Sequence, residues 1–153
     1  MFKKILFPLI ALGLIVNFAA SAQNYGTRDE AVALTKKAQA FMQSNSKESL
    51  IAELNNKEGQ FIDRDMYVMA ANVEDGNRLA HPYNQNLLGR SVYDAKDIDG
   101  KAYGEEIMEI AMSGGEGWVS YKFTNPKSGV IEEKETYILT VGDMILYCGI
   151  YKQ

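Results

Sequence analysis

The sequence predicts an α+β domain in which N-terminal helices cover one face of an antiparallel sheet. A helix-start signal at Thr27 precedes apolar residues spaced three and four apart, which is typical of an amphipathic helix. From Gly114 to Gln153 the chain forms three β-rich runs separated by turn residues. An Asp-Gly pair at Asp75 joins two further short runs of strand composition. Because no linker or internal repeat interrupts this order, we expect one domain.

The helical region begins at a capping box, Thr27-Arg28-Asp29-Glu30. The Thr27 hydroxyl can accept a hydrogen bond from a first-turn N–H, and Glu30 can reach back to the cap. Apolar residues follow at helical spacing, namely Ala31, Leu34, Ala38, Phe41 and Met42. A second cap at Ser46 precedes another apolar stripe. We predict helix over residues 28–44 and 47–55, either as two helices or as one kinked rod.

The middle of the chain supplies a hairpin and a third helix. A strand is predicted from residue 66 to 73, with a turn over 74–77 and a return strand over 78–81 that Pro82 ends. A polar loop follows. Residues 103–112 fit a short helix that ends at Ser113-Gly114-Gly115.

The segment Asp97-Ile98-Asp99-Gly100 has two interpretations. As an EF-hand loop it would offer Asp97, Asp99 and Glu106 to calcium, but its first position would be Ala95, which cannot ligate. The alternative is an Asp-Gly turn that caps the next helix. We favour the turn and predict no metal site.

The C-terminal meander brings aromatic rings and one lysine to the sheet. Alternation places Trp118 and Tyr121 on opposite faces of its first strand, and Lys134 and Tyr137 on opposite faces of its second. The third strand, 144–151, is apolar almost throughout, as expected of a central strand covered on both sides. The rings either fill the core or line a pocket for a small, partly apolar anion.

Lys134 separates these two interpretations. If its side chain points inward, its charge needs a partner, because an unpaired buried charge is costly, and a ligand carboxylate would supply one. If it points outward, it is an ordinary surface lysine beside Glu132, Glu133 and Glu135.

Residues 1–22 are predicted to be a cleaved signal peptide. Lys3 and Lys4 precede an apolar run from Ile5 to Val16, and Ala20-Ser21-Ala22 fits a cleavage site before Gln23. The alternative is a retained membrane anchor, for which the run is short, since a span needs about 20 residues. We therefore expect a periplasmic protein whose single domain spans residues 23–153.

Charge and side-chain chemistry exclude several classes of protein. Cleavage would leave a net charge of about −6, and an acidic chain without a basic run is unsuited to nucleic acid. Cys148 is the only cysteine, lies in an apolar strand, and is expected to be buried and unreactive. His81 is the only histidine and serves either a structural role or ligand binding. A hydrolase built on His81 and Cys148 is a third alternative, but no nucleophile motif surrounds either residue, so we predict no enzyme.

The chain resembles the single Cache domain, type 2, an extracytoplasmic sensor module. The resemblance covers residues 29–152 and depends on the order of individually weak blocks. These are Phe61 to Val68; Asp75-Gly76 with Leu79-Ala80-His81-Pro82; Asn86 to Arg90; Asp97 to Gly100; Gly115 to Tyr121; Asn125-Pro126; Gly129; Glu133-Lys134; Thr136-Tyr137; and Gly149-Ile150-Tyr151.

This resemblance implies a PAS-like fold and a ligand pocket. A long N-terminal helix would pack on a five- or six-stranded antiparallel sheet, and the pocket would lie between the sheet and its covering loops. Relatives commonly bind acetate, propionate, pyruvate or lactate. By position, the ligand-binding candidates are Tyr67, His81, Trp118, Tyr121, Lys134 and Tyr137. Lys134, Tyr121 and Tyr137 would hold the carboxylate, and no cofactor is implied.

We therefore predict a periplasmic binding protein for a C2–C4 organic acid that serves a membrane histidine kinase, chemoreceptor or transporter. Most relatives carry an output domain, whereas this sequence stops at Gln153, so we expect it to signal through a separate partner, to deliver a ligand, or to serve another role. The alternative is a ligand-free module that docks a receptor, which a pocket too small for acetate would favour. The proline common after the first helix in relatives is absent near Asn55, so the pocket geometry is expected to differ in detail.

Overall fold

A computed structural model of the protein describes residues 24–152. The predicted signal peptide and the predicted mature terminus at Gln23 lie outside the described residues. Within residues 24–152, no helix combines the length and the apolar character needed to cross a membrane.

Two helices open the described chain, α1 (Arg28–Phe41) and α2 (Lys47–Leu54). The predicted capping box is present, because the Thr27 hydroxyl accepts from the Glu30 N–H and the Glu30 carboxylate accepts from the Thr27 N–H. Ser46 caps α2 by accepting from the Ser49 N–H at 3.1 Å. The chain thus forms two separate helices, and α1 ends three residues before the predicted boundary at 44.

A six-stranded antiparallel sheet and a third helix follow. The strands are β1 (Ile62–Asp63), β2 (Met66–Asn72), β3 (Arg78–Ala80), β4 (Glu116–Thr124), β5 (Ile131–Val141) and β6 (Met144–Tyr151), and the third helix is α3 (Tyr103–Met112). The strand order is β1-β2-β6-β5-β4, with β3 also paired to β2. The last strand, β6, is therefore central, and all eight of its residues are buried, as predicted.

Each face of the sheet has its own apolar core. On the α1 face, α1 and α2 pack on side chains that include Val68, Leu146 and Cys148. On the α3 face, α3 and the 81–102 segment pack on side chains that include Met69, Tyr147 and Ile138. Because side chains alternate along a strand, every residue of the sheet belongs to one face or the other.

The turn between β1 and β2 attaches the start of the described chain to its last strand. Arg64 has a left-handed φ of 57°, and its guanidinium pairs with Asp63 and Glu30. The neighbouring Asp65 carboxylate is buried and accepts from the Gly26 N–H at 2.6 Å and the Tyr151 N–H at 3.1 Å. One carboxylate therefore satisfies two backbone donors from opposite ends of the domain.

We expect Asp65→Asn to lower the free energy of unfolding by about 1–3 kcal/mol, because its amide N–H₂ would face one of these buried donors and leave it unpaired. Urea denaturation would measure the change. Asp94→Asn, at an exposed position, is the matched control and should change stability by less than about 0.5 kcal/mol. Equal losses in the two variants would contradict this role for Asp65.

Candidate functional site

The side chain of Lys134 is buried in the α3 face of the sheet. It is 1% exposed, and its Nζ donates to the Tyr67 hydroxyl at 2.8 Å. The ammonium also lies over three rings, at 4.2 Å from the centroid of Tyr67, 4.8 Å from Tyr151 and 5.3 Å from Phe123. None of the ion pairs among residues 24–152 includes Lys134. Aromatic faces thus partly stabilise a charge that has no counter-ion within the described chain.

A glycine in the neighbouring strand makes room for this side chain. Gly149 of β6 lies opposite Thr136 of β5, two residues from Lys134 on the same face. A Cβ atom at Gly149 would lie 2.0 Å from Lys134 Cε and 2.7 Å from the Thr136 hydroxyl oxygen. Because Gly149 has no side chain, the aliphatic stem of Lys134 can pass over β6 on this face towards Tyr67 of β2.

Burial makes the charge of Lys134 sensitive to pH. Loss of hydration lowers the pKa of Lys134 to about 7, while the negative charge of Asp65, and that of Cys148 wherever the thiol is ionised, would act in the opposite direction. At neutral pH the ammonium and the neutral amine are thus of comparable population.

His81 supplies a hydrogen-bond donor without a partner. The ring is 3% exposed, and its Nδ1 accepts from the Asn84 N–H at 3.0 Å. Burial, followed by the positive charges of Lys134 and Arg78, lowers the pKa of His81 to about 3. The neutral ring therefore has its proton on Nε2, which is buried and has no partner within the described chain.

Asn55, at the end of α2, holds the backbone beside His81. Its Oδ1 accepts from the His81 N–H at 3.1 Å, and its Nδ2 donates to the Leu79 carbonyl at 3.0 Å. Gln85 adds a bond to the His81 carbonyl. An amide side chain thus fixes β3 and the start of the loop that covers the α3 face.

A second buried cation, Arg78, lies on β3. It is 8% exposed, and its Nη1 donates to the Arg90 carbonyl at 3.3 Å and the Ser91 carbonyl at 3.1 Å. It has no carboxylate partner among residues 24–152. Nearby, burial raises the pKa of Tyr147 to about 12, and the charge and close approach of Arg78 oppose that rise. The Tyr147 hydroxyl has no hydrogen bond of good geometry in the described structure.

These groups meet at a cavity of about 20 Å³ on the α3 face. Its lining contains two cations and no carboxylate; the residues are Met69, Arg78, His81, Leu87, Val92, Tyr103, Ile107, Tyr121, Phe123, Lys134 and Tyr147. The volume admits about one water molecule. Arg78, Leu87, Tyr103 and Phe123 also line an outer groove of about 550 Å³, and Phe123 and His81 line another of about 290 Å³. These side chains therefore separate the cavity from open space.

A comparison with models of protein families identifies the family of this chain. Residues 26–152 match the model of the family described as Single Cache domain 2. The chain belongs to this Cache family. Cache domains are extracytoplasmic sensor domains, typically without catalytic activity. The resemblance and the predicted fold, a helix packed on a six-stranded PAS-like sheet, are confirmed.

Solved structures of similar fold are also sensor domains. A methyl-accepting chemotaxis protein from Vibrio parahaemolyticus RIMD 2210633 aligns with a TM-score of 0.62 and 19% identity, over 80% of this chain and 84% of that one. A Cache chemosensory domain that recognises carboxylic acid aligns at 0.61 and 22%, over 82% and 88%. A periplasmic sensor domain of a chemotaxis protein aligns at 0.60 and 20%, over 82% and 90%. Comparison with curated proteins gives no significant match.

The structure brings four of the six predicted site residues of this Cache domain together. Lys134, His81 and Tyr121 line the cavity, and Tyr67 contacts Lys134 directly. The Tyr121 ring stacks on Tyr103 at 3.9 Å, and its hydroxyl bonds to Thr136 at 2.9 Å.

Trp118 and Tyr137 lie on the opposite face of the sheet. They are directly paired across β4 and β5, and Trp118 packs against the α1-side core. The Arg28 guanidinium lies 4.1 Å from the Trp118 ring centroid, and the Tyr137 hydroxyl donates to the Glu116 carboxylate. The predicted set of six is thus divided between the faces, and the carboxylate role assigned to Tyr137 has no basis in this geometry.

Two other sequence alternatives also have definite outcomes. Asp97 accepts from the N–H groups of Asp99, Lys101 and Lys122, which makes its loop a turn, although no side chain caps α3. Burial raises the pKa of Cys148 to about 12, and the side chain lies in the α1-side core, whereas His81 lines the cavity on the α3 face. The thiol is therefore neither ionised nor placed beside the imidazole.

We expect Lys134→Met to raise the free energy of unfolding of the ligand-free protein by about 1–4 kcal/mol, because methionine has a similar shape without the charge. The gain should be largest below pH 7 and shrink towards pH 10. Between these pH values Lys134 is deprotonated in the folded wild type but still protonated in the unfolded chain, so the wild type becomes more stable as the pH rises. Chemical denaturation at several pH values would measure it. A variant less stable than wild type at pH 6 would contradict this view of the site.

Proposed function

We propose that this Cache domain binds a small organic acid, of the C2–C4 carboxylate class, in the periplasm. In this proposal it is a sensory or accessory protein for a membrane histidine kinase, chemoreceptor or transporter, and it is secreted through a cleaved signal peptide. The observation that supports it most directly is the Lys134 ammonium, buried without a counter-ion in a cavity free of carboxylates.

The charge balance favours an anion as the ligand. A buried cation without a partner is strongly unfavourable, and a carboxylate on Lys134 would offset that cost and add a charge-assisted hydrogen bond. His81 Nε2–H offers a second donor, and Tyr121 is an aromatic neighbour. The apolar walls, including Met69 and Ile107, suit a short carbon chain.

The similar structures support the same class of function. A Cache chemosensory domain with this fold recognises carboxylic acid, and the other two similar structures belong to chemotaxis proteins. At 19–22% identity these likenesses establish the fold, so the ligand proposal depends on the residues of this chain.

Binding requires the cavity to enlarge, because about 20 Å³ holds a water molecule and not an acetate. Leu87 and Phe123 separate it from the outer groove, so their displacement is the shortest way to open it. Leu87 belongs to a one-turn 3₁₀ segment, Gln85–Leu87, on the surface loop. A surface loop is easier to displace than the strands beneath it.

Calorimetric titration with acetate, propionate, pyruvate and lactate would test the proposal. We expect at least one acid to bind, and Lys134→Met to weaken it by about 10–100-fold, because a hydrogen bond to a charged group contributes about 1.5–3 kcal/mol. Lys127→Met removes an exposed lysine and should leave the affinity unchanged. Absence of binding by every acid, or equal affinity in wild type and Lys134→Met, would refute it.

Affinity should also fall as the pH rises from 6 to 9. Only the charged form of Lys134 attracts the carboxylate. When the pH exceeds a pKa of about 7, the fraction of Lys134 in this form falls by up to about tenfold per pH unit, and the affinity falls with it. Titrations at four pH values would measure the slope. The residual binding of Lys134→Met should show no such slope; a slope that persists in this variant would assign the pH dependence to another group.

A ligand-free module that docks a membrane receptor is the second candidate, and the small cavity favours it. Leu87→Ala distinguishes the two, because it shortens a side chain between the cavity and the outer groove. A binding protein should take up acids at least as readily in this variant. No acid binding in either wild type or Leu87→Ala would favour the docking module.

A further inference from the structure

The cavity has two cationic ends, and this arrangement bears on which acids fit it. The Lys134 stem crosses β6 at Gly149, and its ammonium bonds to Tyr67. Arg78 is paired with Ala71 on β2, further along the sheet, and lines the cavity together with Tyr147. Gly149 and Tyr147 are two residues apart on the same face of β6, which corresponds to about 7 Å along the strand. The two positive charges therefore lie at different positions along the strand direction in one small cavity.

Each cation has a neutral hydrogen-bonding group beside it that lacks a partner. The His81 ring lies 5.4 Å, centroid to centroid, from the ring of Tyr67, whose hydroxyl accepts from Lys134, and His81 Nε2–H is unpaired among residues 24–152. Arg78 approaches Tyr147 closely enough to act on its hydroxyl, but this buried hydroxyl has no hydrogen bond of good geometry within the described chain. The cavity thus contains two similar half-sites, Lys134 with His81 and Arg78 with Tyr147, each suited to one carboxylate.

A monocarboxylate would satisfy only one of these half-sites. The other cation would have no counter-charge inside the cavity, since no aspartate or glutamate lines it. Two like charges in one region of low dielectric constant also repel each other, so the second negative charge of a ligand would relieve both costs.

We propose that the preferred ligand is a short dicarboxylate, with one carboxylate on Lys134 and His81 and the other on Arg78 and Tyr147. This inference rests on the proposed acid-binding function and narrows it to dianions of three or four carbons. Arg78 and Tyr147 are then specificity-determining residues, while Lys134 is needed by every acid.

Calorimetry with acids matched in carbon number tests the inference: malonate against propionate, and succinate against butyrate. In wild type, at least one dicarboxylate should bind tenfold or more tightly than its matched monocarboxylate. Tyr147→Phe, which removes one oxygen, should reduce this preference about threefold or more. Arg78→Gln should reduce it to less than about threefold.

The outcomes separate this inference from the function on which it rests. Monocarboxylates that bind as tightly as their matched dicarboxylates would overturn the dianion inference and leave acid binding intact. A dicarboxylate preference that is unchanged in both variants would also overturn the dianion inference, because groups other than Arg78 and Tyr147 would then bind the second carboxylate. If no acid of either kind binds, both proposals fail together. Because Arg78→Gln removes two bonds to loop carbonyls, Tyr147→Phe provides the test if that variant does not fold.

Discussion

The unpaired charge of Lys134 is the constraint around which the α3 face is arranged. Gly149 has no side chain where the lysine stem passes, and three aromatic rings surround the ammonium. The domain would be easier to stabilise with an apolar residue at this position. A buried lysine at this position therefore costs stability, a conflict that is familiar at functional sites.

Local signals in the sequence predict most of the fold. The capping box at Thr27, the Asp-Gly turn before β3 and the apolar run of β6 each depend on neighbouring residues, so they can be identified without a structure. The turn at Arg64 is different, because its left-handed residue is paired through its side chain with Glu30, far away in the sequence. Such a contact leaves no periodic pattern, and the strand was predicted only from residue 66, so the two-residue strand β1 was not predicted.

The candidate site is less predictable, because strand alternation assigns a face but not a neighbour. The alternation already placed Lys134 and Tyr137 on opposite faces, so grouping them by family resemblance conflicted with the strand period. Asn55 and Arg78 were missed because their roles depend on packing between segments distant in sequence. The alternation of β6 does place Tyr147 on the same face as Tyr151, and that was an available signal.

The double attachment of Asp65 joins the cavity mechanically to the beginning of α1. Tyr151 touches the Lys134 ammonium through its ring and Asp65 through its backbone N–H, while the other oxygen of Asp65 holds Gly26, one residue before the α1 cap. These are short, nearly rigid links between a side chain inside the sheet and the first residues of the helix that covers its far side. A displacement of β6 by a fraction of an ångström would consequently pull on the helix terminus or cost a buried hydrogen bond.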